Sequence, residues 1–359
     1  MRRARFLAPW KGSREKPVIY HLIGRVVGRE YLLGDIEREQ FRKFMRMQEG
    51  FSGCILLAYV IMSNHFHLLL EVPPFPEGGI SDEELLVRLR SVYAPGQVDA
   101  LARELAAARA AGDVAQVATI HSHFTYRMHD LSEFMKTLVQ RFSRWYNREH
   151  NRHGTLWEER FKSVIVESGA AARTMAAYID LNPVRAGMVD DPGDYRWSSY
   201  GEAVGRGARG NGKKARAGLV RACLSHQGAG LEPKKWPEAS RIYRHALGLA
   251  LGRKSGRAVV DKRLIKKGQS QAEALATSGG DNGTVLPDPS PADALRRRIR
   301  YFSDGLVIGT KQFVNEIFTV ARDRFSAKRK DGARPIRSGS SQYPPPVGLW
   351  SMRDLRTNL

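Results

Sequence analysis

The chain has 359 residues, 42% of them hydrophobic, and a formal net charge of +21. It is long enough for a full-sized buried core, and its charge points to a polyanionic partner, nucleic acid before an anionic membrane surface. Its two cysteines, Cys54 and Cys223, exclude a disulfide framework and a cysteine-rich zinc site, and they fit a reducing compartment.

In chain order, residues 17–28 are rich in β-branched side chains and predict a first strand. Asp35 opens an amphipathic helix with Ile36, Phe41, Phe44 and Met45 near helical spacing, ending near Gly50. Residues 53–72 predict two strands split by a turn at Ser63-Asn64. Residues 73–125 open with Pro and Gly, turn alanine-rich and charged, and predict a helical insertion. Asp130 starts a long helix to about Arg148, with Glu133 completing a capping-box pattern. Leu131, Met135, Leu138, Phe142 and Trp145 form its apolar stripe. Residues 159–167 predict a strand, and Ser168 is placed to cap the helix that follows.

Beyond residue 200 the composition shifts. Residues 1–200 carry 27 Lys and Arg against 24 Asp and Glu, whereas residues 201–359 carry 31 against 13. Residues 205–218 (GRGARGNGKKARAG) predict a mobile stretch, 236–252 a helix and 268–292 a disordered linker. Residues 293–326 recover a helical pattern, with Thr310 as an N-cap and a weak helix-turn-helix signal. A basic tail, KRKDGARPIR, follows. No internal repeat is seen. The longest clean apolar run, residues 54–62, falls short of the ~20 residues of a membrane-spanning helix. The basic N-terminus lacks an apolar core of signal-peptide length. A soluble cytoplasmic protein is expected.

Chemistry centres on His65-Phe66-His67. Side chains alternate along a strand, so His65 and His67 share one face while Phe66 points into the core. Two imidazoles on one face can share a divalent cation. An isolated His-x-His has many structural uses, so its neighbourhood decides. YVIMSNHFHLLLEV, with GTLWEERFKS and YIDLNPVRAGMV after it, resembles the three ordered blocks of the REP-associated tyrosine transposases. The first block is their HUH motif of histidine, bulky hydrophobe, histidine. The resemblance covers roughly residues 17–200.

The resemblance implies an α+β, ferredoxin-like antiparallel sheet with helices on one face, here followed by a basic helical C-terminal extension. It implies Mg²⁺ or Mn²⁺ as cofactor. It also implies a tyrosine that attacks a DNA phosphodiester, keeps the 5′ phosphate and releases a 3′ hydroxyl. The motif match places that nucleophile at Tyr178 and a polar helper at Asn182, a third metal ligand. Asn182-Pro183 reads equally as an N-cap followed by proline at the first helical position. Lys136, Arg141, Arg144 and Arg148 either track phosphates or form a solvated face. Arg160 and Lys162 lie in the second block, near the expected DNA backbone. Trp157 reads as a packing residue before a base-stacking one. His121, His123 and His129 receive no role.

The expected organisation is a transposase domain over 1–200 with its insertion at about 73–125, a basic, mostly helical extension over 201–267, a linker over 268–292 and a helical basic segment over 293–359. The expected partner is single-stranded or hairpin DNA, with no membrane and an open choice between monomer and homodimer. The competing reading keeps the charge and the fold but not the chemistry: a DNA or RNA hairpin-binding protein descended from such a transposase.

Overall fold

The structure, a computed structural model, describes residues 5–12, 16–205, 212–224, 235–248, 301–336 and 348–353. The class is α+β, with seven strands and twelve helices among those residues and mixed β-sheet. The chain groups into two compact units: Met1–Leu56 with Ile61–Ile165, and Leu57–Val60 with Val166–Leu359.

The first unit runs β1 (Val18–Arg25), α1 (Asp35–Ser52), β2 (Ile55–Ile61), β3 (His65–Val72), α2 (Asp82–Leu89), α3 (Pro95–Ala110), α4 (Val114–Thr125), α5 (Leu131–Glu149) and β4 (Lys162–Val166). The middle of β2 and the end of β4 fall in the other unit. Strand order is β2-β3-β1-β4. β1 and β3 are antiparallel, with Val18 opposite Val72 and Arg25 opposite His65. The turn expected at Ser63-Asn64 is there, closed by the Met62 N–H donating to the His65 carbonyl at 2.8 Å.

Helix α1 runs a little past the expected Gly50. It stops at Gly53, whose φ of 73° is a left-handed cap that glycine adopts without steric cost. Helix α5 starts as expected, the Asp130 carboxylate accepting from the Glu133 N–H at 2.9 Å. The Glu133 carboxylate pairs with Lys136 at 3.1 Å. On the stripe, Leu131, Met135, Leu138 and Phe142 are buried, with Tyr146 beside them. The insertion is helical and packs Leu85, Leu89, Val98, Leu105, Val117 and Ile120 into one cluster with Phe51 of α1 and Met128. Asp82 ties its ends together. It accepts from Arg109 at 2.9 and 2.8 Å and meets His121 Nε2 at 2.7 Å. The Arg109 contact holds the Asp82 carboxyl down at about 2.

The second unit contains α6 (Ala170–Asp180), α7 (Asn182–Arg185), α8 (Ser199–Val204), α9 (Lys213–Leu224), α10 (Trp236–Ala246), α11 (Tyr301–Asp304), β5 (Val307–Gly309), α12 (Lys311–Val320), β6 (Arg334–Pro335) and β7 (Trp350–Met352). β7 lies between β5 and β6, antiparallel to both.

Four expectations change here. Ser168 does not cap α6: the cap position is Gly169, with φ 77° and no capping side chain. The Gly/Lys/Arg-rich stretch is helical from Lys213, because Ala215, Leu219, Val220 and Cys223 give it a buried stripe. Strand β5 separates α11 from α12, so this region is no helix-turn-helix. The basic tail contributes β6. Thr310 caps α12 as expected, accepting from the Phe313 N–H at 3.2 Å. The helix expected over 236–252 stops at Ala246, with Leu247 as its C-cap, and the linker expected over 268–292 lies outside the described residues. Among the described residues no helix is long and apolar enough to cross a membrane.

Candidate active site

The β1–β3 register creates two unlike faces. Directly opposed residues of an antiparallel pair share a face, so His65, His67, Leu69 and Glu71 lie with Arg25, Ile23, His21 and Ile19. Phe66 is on the other face, fully buried. It packs on Phe41 at 4.7 Å and on Trp157 at 5.3 Å between ring centroids. Gly24 stands opposite Phe66, and a Cβ there would overlap the phenyl ring. Trp157 is a packing residue as expected. It also touches Phe142 at 5.9 Å, and its indole N–H donates to Ser143 Oγ at 2.9 Å.

On the polar face the His65 and His67 rings lie 5.1 Å apart, nearly perpendicular. Each is held through Nδ1. His65 Nδ1 meets Asn64 Oδ1 at 2.7 Å, and the Asn64 amide N–H donates to the Arg29 carbonyl at 3.0 Å. His67 Nδ1 meets His21 Nε2 at 2.9 Å, with the two rings 13° from parallel. Fixing a histidine through Nδ1 presents Nε2 as the ligating atom.

His21 was not foreseen from the sequence. It is fully buried. Its signal was one polar residue inside the otherwise apolar PVIYHLIG, a place that demands a partner. Arg25, opposite His65 on the same face, lies 3.9 Å from the Glu158 carboxylate. Among the described residues, no group of three or more His, Cys, Asp and Glu side chains is placed to hold a metal ion.

In the second unit, Tyr178 sits in the last turn of α6 and is 8% exposed. Its ring lies 4.6 Å from that of Phe302 in α11, and the Arg185 guanidinium lies 4.0 Å above it. Arg185 also donates to the Tyr178 carbonyl at 3.1 Å. Burial lowers the Arg185 pKa, opposed by its contact with Tyr178.

Tyr178 and Asn182 fall in successive helices, α6 and α7, because α6 ends at Asp180. Asn182 is not an N-cap: Leu181 holds that position for α7. The Asn182 amide N–H donates back to the Tyr178 and Ile179 carbonyls, both at 3.1 Å, and so closes the C-terminal end of α6. That use of Nδ2 leaves the amide oxygen as the only atom through which Asn182 can ligate a cation.

Two residues beyond Tyr178 is Asp180, fully buried. It accepts from Tyr243 Oη at 2.5 Å, from the Tyr200 N–H at 3.0 Å and from Ser199 Oγ at 2.9 Å. Burial raises its carboxyl to about 6, against the pull of these donors.

The basic residues divide. Lys136 is ion-paired with Glu133, and the Arg141 guanidinium stacks 5.1 Å over Phe44. Arg144 and Arg148, one turn apart, line an open cleft with Asn147, Asn151, Arg152, His153 and Gly154. Among the described residues, no carboxylate lines that cleft. Arg160 and Lys162 are exposed at the start of β4. Arg160 is near enough to Arg5 to add to the lowering of the Arg5 pKa, which burial dominates.

No family model matches the chain, and no curated protein does. Among solved structures, a REP-associated tyrosine transposase bound to a REP hairpin aligns with 58% of this chain and 88% of its own, at 15% identity and a TM-score of 0.37. A similarity this slight carries no inference about this chain.

Proposed function

We propose that this protein is a metal-dependent endonuclease and strand transferase that acts on single-stranded DNA beside hairpins through a 5′-phosphotyrosine intermediate. The observation that carries the reading is the pair His65 and His67. They share one sheet face, and the Nδ1 of each has a partner, Asn64 Oδ1 for His65 and His21 Nε2 for His67. The order β-α-β-β-α-β with strands β2-β3-β1-β4 supports the ferredoxin-like assignment made on the motifs. Two imidazoles suit Mn²⁺ better than the harder Mg²⁺, and the remaining ligands are oxygens, the Asn182 amide oxygen and DNA among them. When bound, the cation polarises the phosphodiester and offsets charge in the transition state.

The chain's own groups do the rest. The Tyr178 oxygen forms a bond to phosphorus as the bond from phosphorus to the 3′ oxygen breaks. The proton lost by the phenol is balanced by one gained at the departing 3′ oxygen. One phosphodiester replaces another, so rejoining is the same step reversed with an incoming 3′ hydroxyl and needs no nucleotide cofactor. A neutral phenol is a poor nucleophile, with a pKa of about 10 in free tyrosine. The Arg185 guanidinium over the ring favours the negative charge that develops there. Arg144 and Arg148 bind backbone phosphates in their cleft, with Lys136, Arg141, Arg160 and Lys162 extending the basic surface.

The test is labelled hairpin-flanked single-stranded DNA incubated with Mn²⁺ or Mg²⁺ and resolved on denaturing gels. A covalent adduct is expected, absent in Tyr178→Phe and strongly reduced in His65→Ala. Replacing Arg144 and Arg148 together by alanine should weaken binding to all sequences alike and lower the salt slope of affinity by about two. An undiminished adduct in Tyr178→Phe removes that residue from the chemistry.

One observation favours the second reading, a hairpin-binding protein without catalysis: Tyr178 is almost wholly covered, with Phe302 and Arg185 against its ring. Hairpin binding with no adduct under any divalent cation would establish it.

A further inference from the structure

Three histidines meet on the β1–β3 face, yet they do not make a three-histidine site. His21 Nε2 lies 2.9 Å from His67 Nδ1, and with ring centroids 5.1 Å apart and planes 13° from parallel the two rings meet edge to edge, so these two nitrogens face each other rather than a common cation. One proton must lie between them, and its position decides what His67 can do.

If the proton is on His67 Nδ1, then His67 Nε2 carries a lone pair and can ligate. His21, accepting at Nε2, then carries its own proton on Nδ1. If the proton is on His21 Nε2, then His67 carries its proton on Nε2 and cannot ligate there. His65 has no such ambiguity. The Asn64 amide is oriented by its donation to the Arg29 carbonyl, so its oxygen faces His65 Nδ1 and can only accept. His65 therefore holds its proton on Nδ1. Two neighbouring rings with the same tautomer make a ligand pair, and two with opposite tautomers do not.

We infer that His21 is a positioning residue for the proposed cation site: it fixes the Nδ1–H tautomer and the ring plane of His67 without touching the cation. The inference rests on the reading that His65 and His67 bind a divalent ion.

Placement supports it in two further ways. His21 is opposite Leu69 in the register and so diagonal to His67 on the same face, and Glu71 holds the other diagonal. A buried carboxylate, 2% exposed, thus flanks His21 in the register on the side away from His67. The two rings are also nearly parallel, 13° apart, so His21 restrains rotation of His67 as well as its protonation. A leucine at position 21 would suit an apolar strand better. The buried polar ring is intelligible through the bond it makes.

The experiment uses the full-length protein in three forms: wild type, His21→Gln and His21→Phe. Long-range ¹⁵N–¹H spectra of the metal-free protein report the tautomer of His67. Mn²⁺ affinity is read by the electron paramagnetic resonance of free Mn²⁺, and circular dichroism checks the fold. Wild type should show His67 protonated on Nδ1 and should bind Mn²⁺. His21→Phe should move the proton to Nε2 and weaken Mn²⁺ binding by about 10- to 100-fold. His21→Gln, whose side-chain oxygen can accept from Nδ1–H, should keep the wild-type tautomer and most of the affinity.

A wild-type His67 protonated on Nε2, or undiminished Mn²⁺ affinity in His21→Phe, overturns the assignment of His21. Wild type that binds no Mn²⁺ while His67 stays protonated on Nδ1 overturns the cation reading instead. The wild-type spectrum needs no variant to fold.

Discussion

Two clusters of buried polar groups, one in each unit, solve different problems. On the β1–β3 face, His21 and His67 meet through two ring nitrogens 2.9 Å apart. Around Asp180, one carboxylate collects donors from three places, Ser199, Tyr200 and Tyr243. The first cluster is set by the register of two strands. The second ties α6 to α8 and α10 and turns every polar atom inward. A buried carboxylate enclosed by donors is a fastening. In the second unit the fastening stands two residues from Tyr178, so the fold holds the carrier of the proposed nucleophile by a group that takes no part in the reaction.

The largest expected effect is on the fastening. Asp180→Ala strands three buried donors at once, each worth about 1–3 kcal/mol when left unsatisfied, so urea denaturation should show a loss of about 3 kcal/mol or more. A loss below about 1 kcal/mol would mean that the cluster is not a fastening. Next comes the pH dependence. The Asp180 carboxyl titrates at about 6 in the fold and near ~3.9 in an unfolded chain. Its contribution to stability is therefore complete below about pH 4 and is lost as pH rises through about 6, a change of about 3 kcal/mol. Urea midpoints of wild type should fall across that window relative to those of Asp180→Asn. Equal slopes would refute the assignment. The smallest effect belongs to the other cluster: His65→Ala should change stability by less than about 1 kcal/mol while removing most of the adduct. A cost as large as that of Asp180→Ala would make His65 a structural residue.

Much of this was legible in the chain itself. The alternation of His-Phe-His put two rings on one face and Phe66 in the core, because strand periodicity is local. Asp130 and Thr310 declared themselves as caps because the N–H each accepts lies three residues on. His21 was not legible: its partner is 46 residues away, and only the β1–β3 register brings them together. Asn182 misled because Asn-Pro at a helix start is the usual cap signature, whereas here the side chain reaches back to the carbonyls of the preceding helix. Helix α9 was hidden by its Gly and Lys content, which masked apolar residues four apart. β5 has three residues, too few for any period to show. The fastening around Asp180 joins residues 180, 199, 200 and 243 and has no sequence signature at all.

The central claim is that one phenol oxygen in this chain becomes esterified to DNA. Its most direct test is to form the adduct with Mn²⁺, digest it with trypsin and nuclease, and find the modified peptide by mass spectrometry. Cleavage after Arg173 and Arg185 releases residues 174–185, with Tyr178 as its sole tyrosine. The account predicts a nucleotide mass on Tyr178 in that peptide. A nucleotide mass on any other residue, with this peptide unmodified, would contradict it.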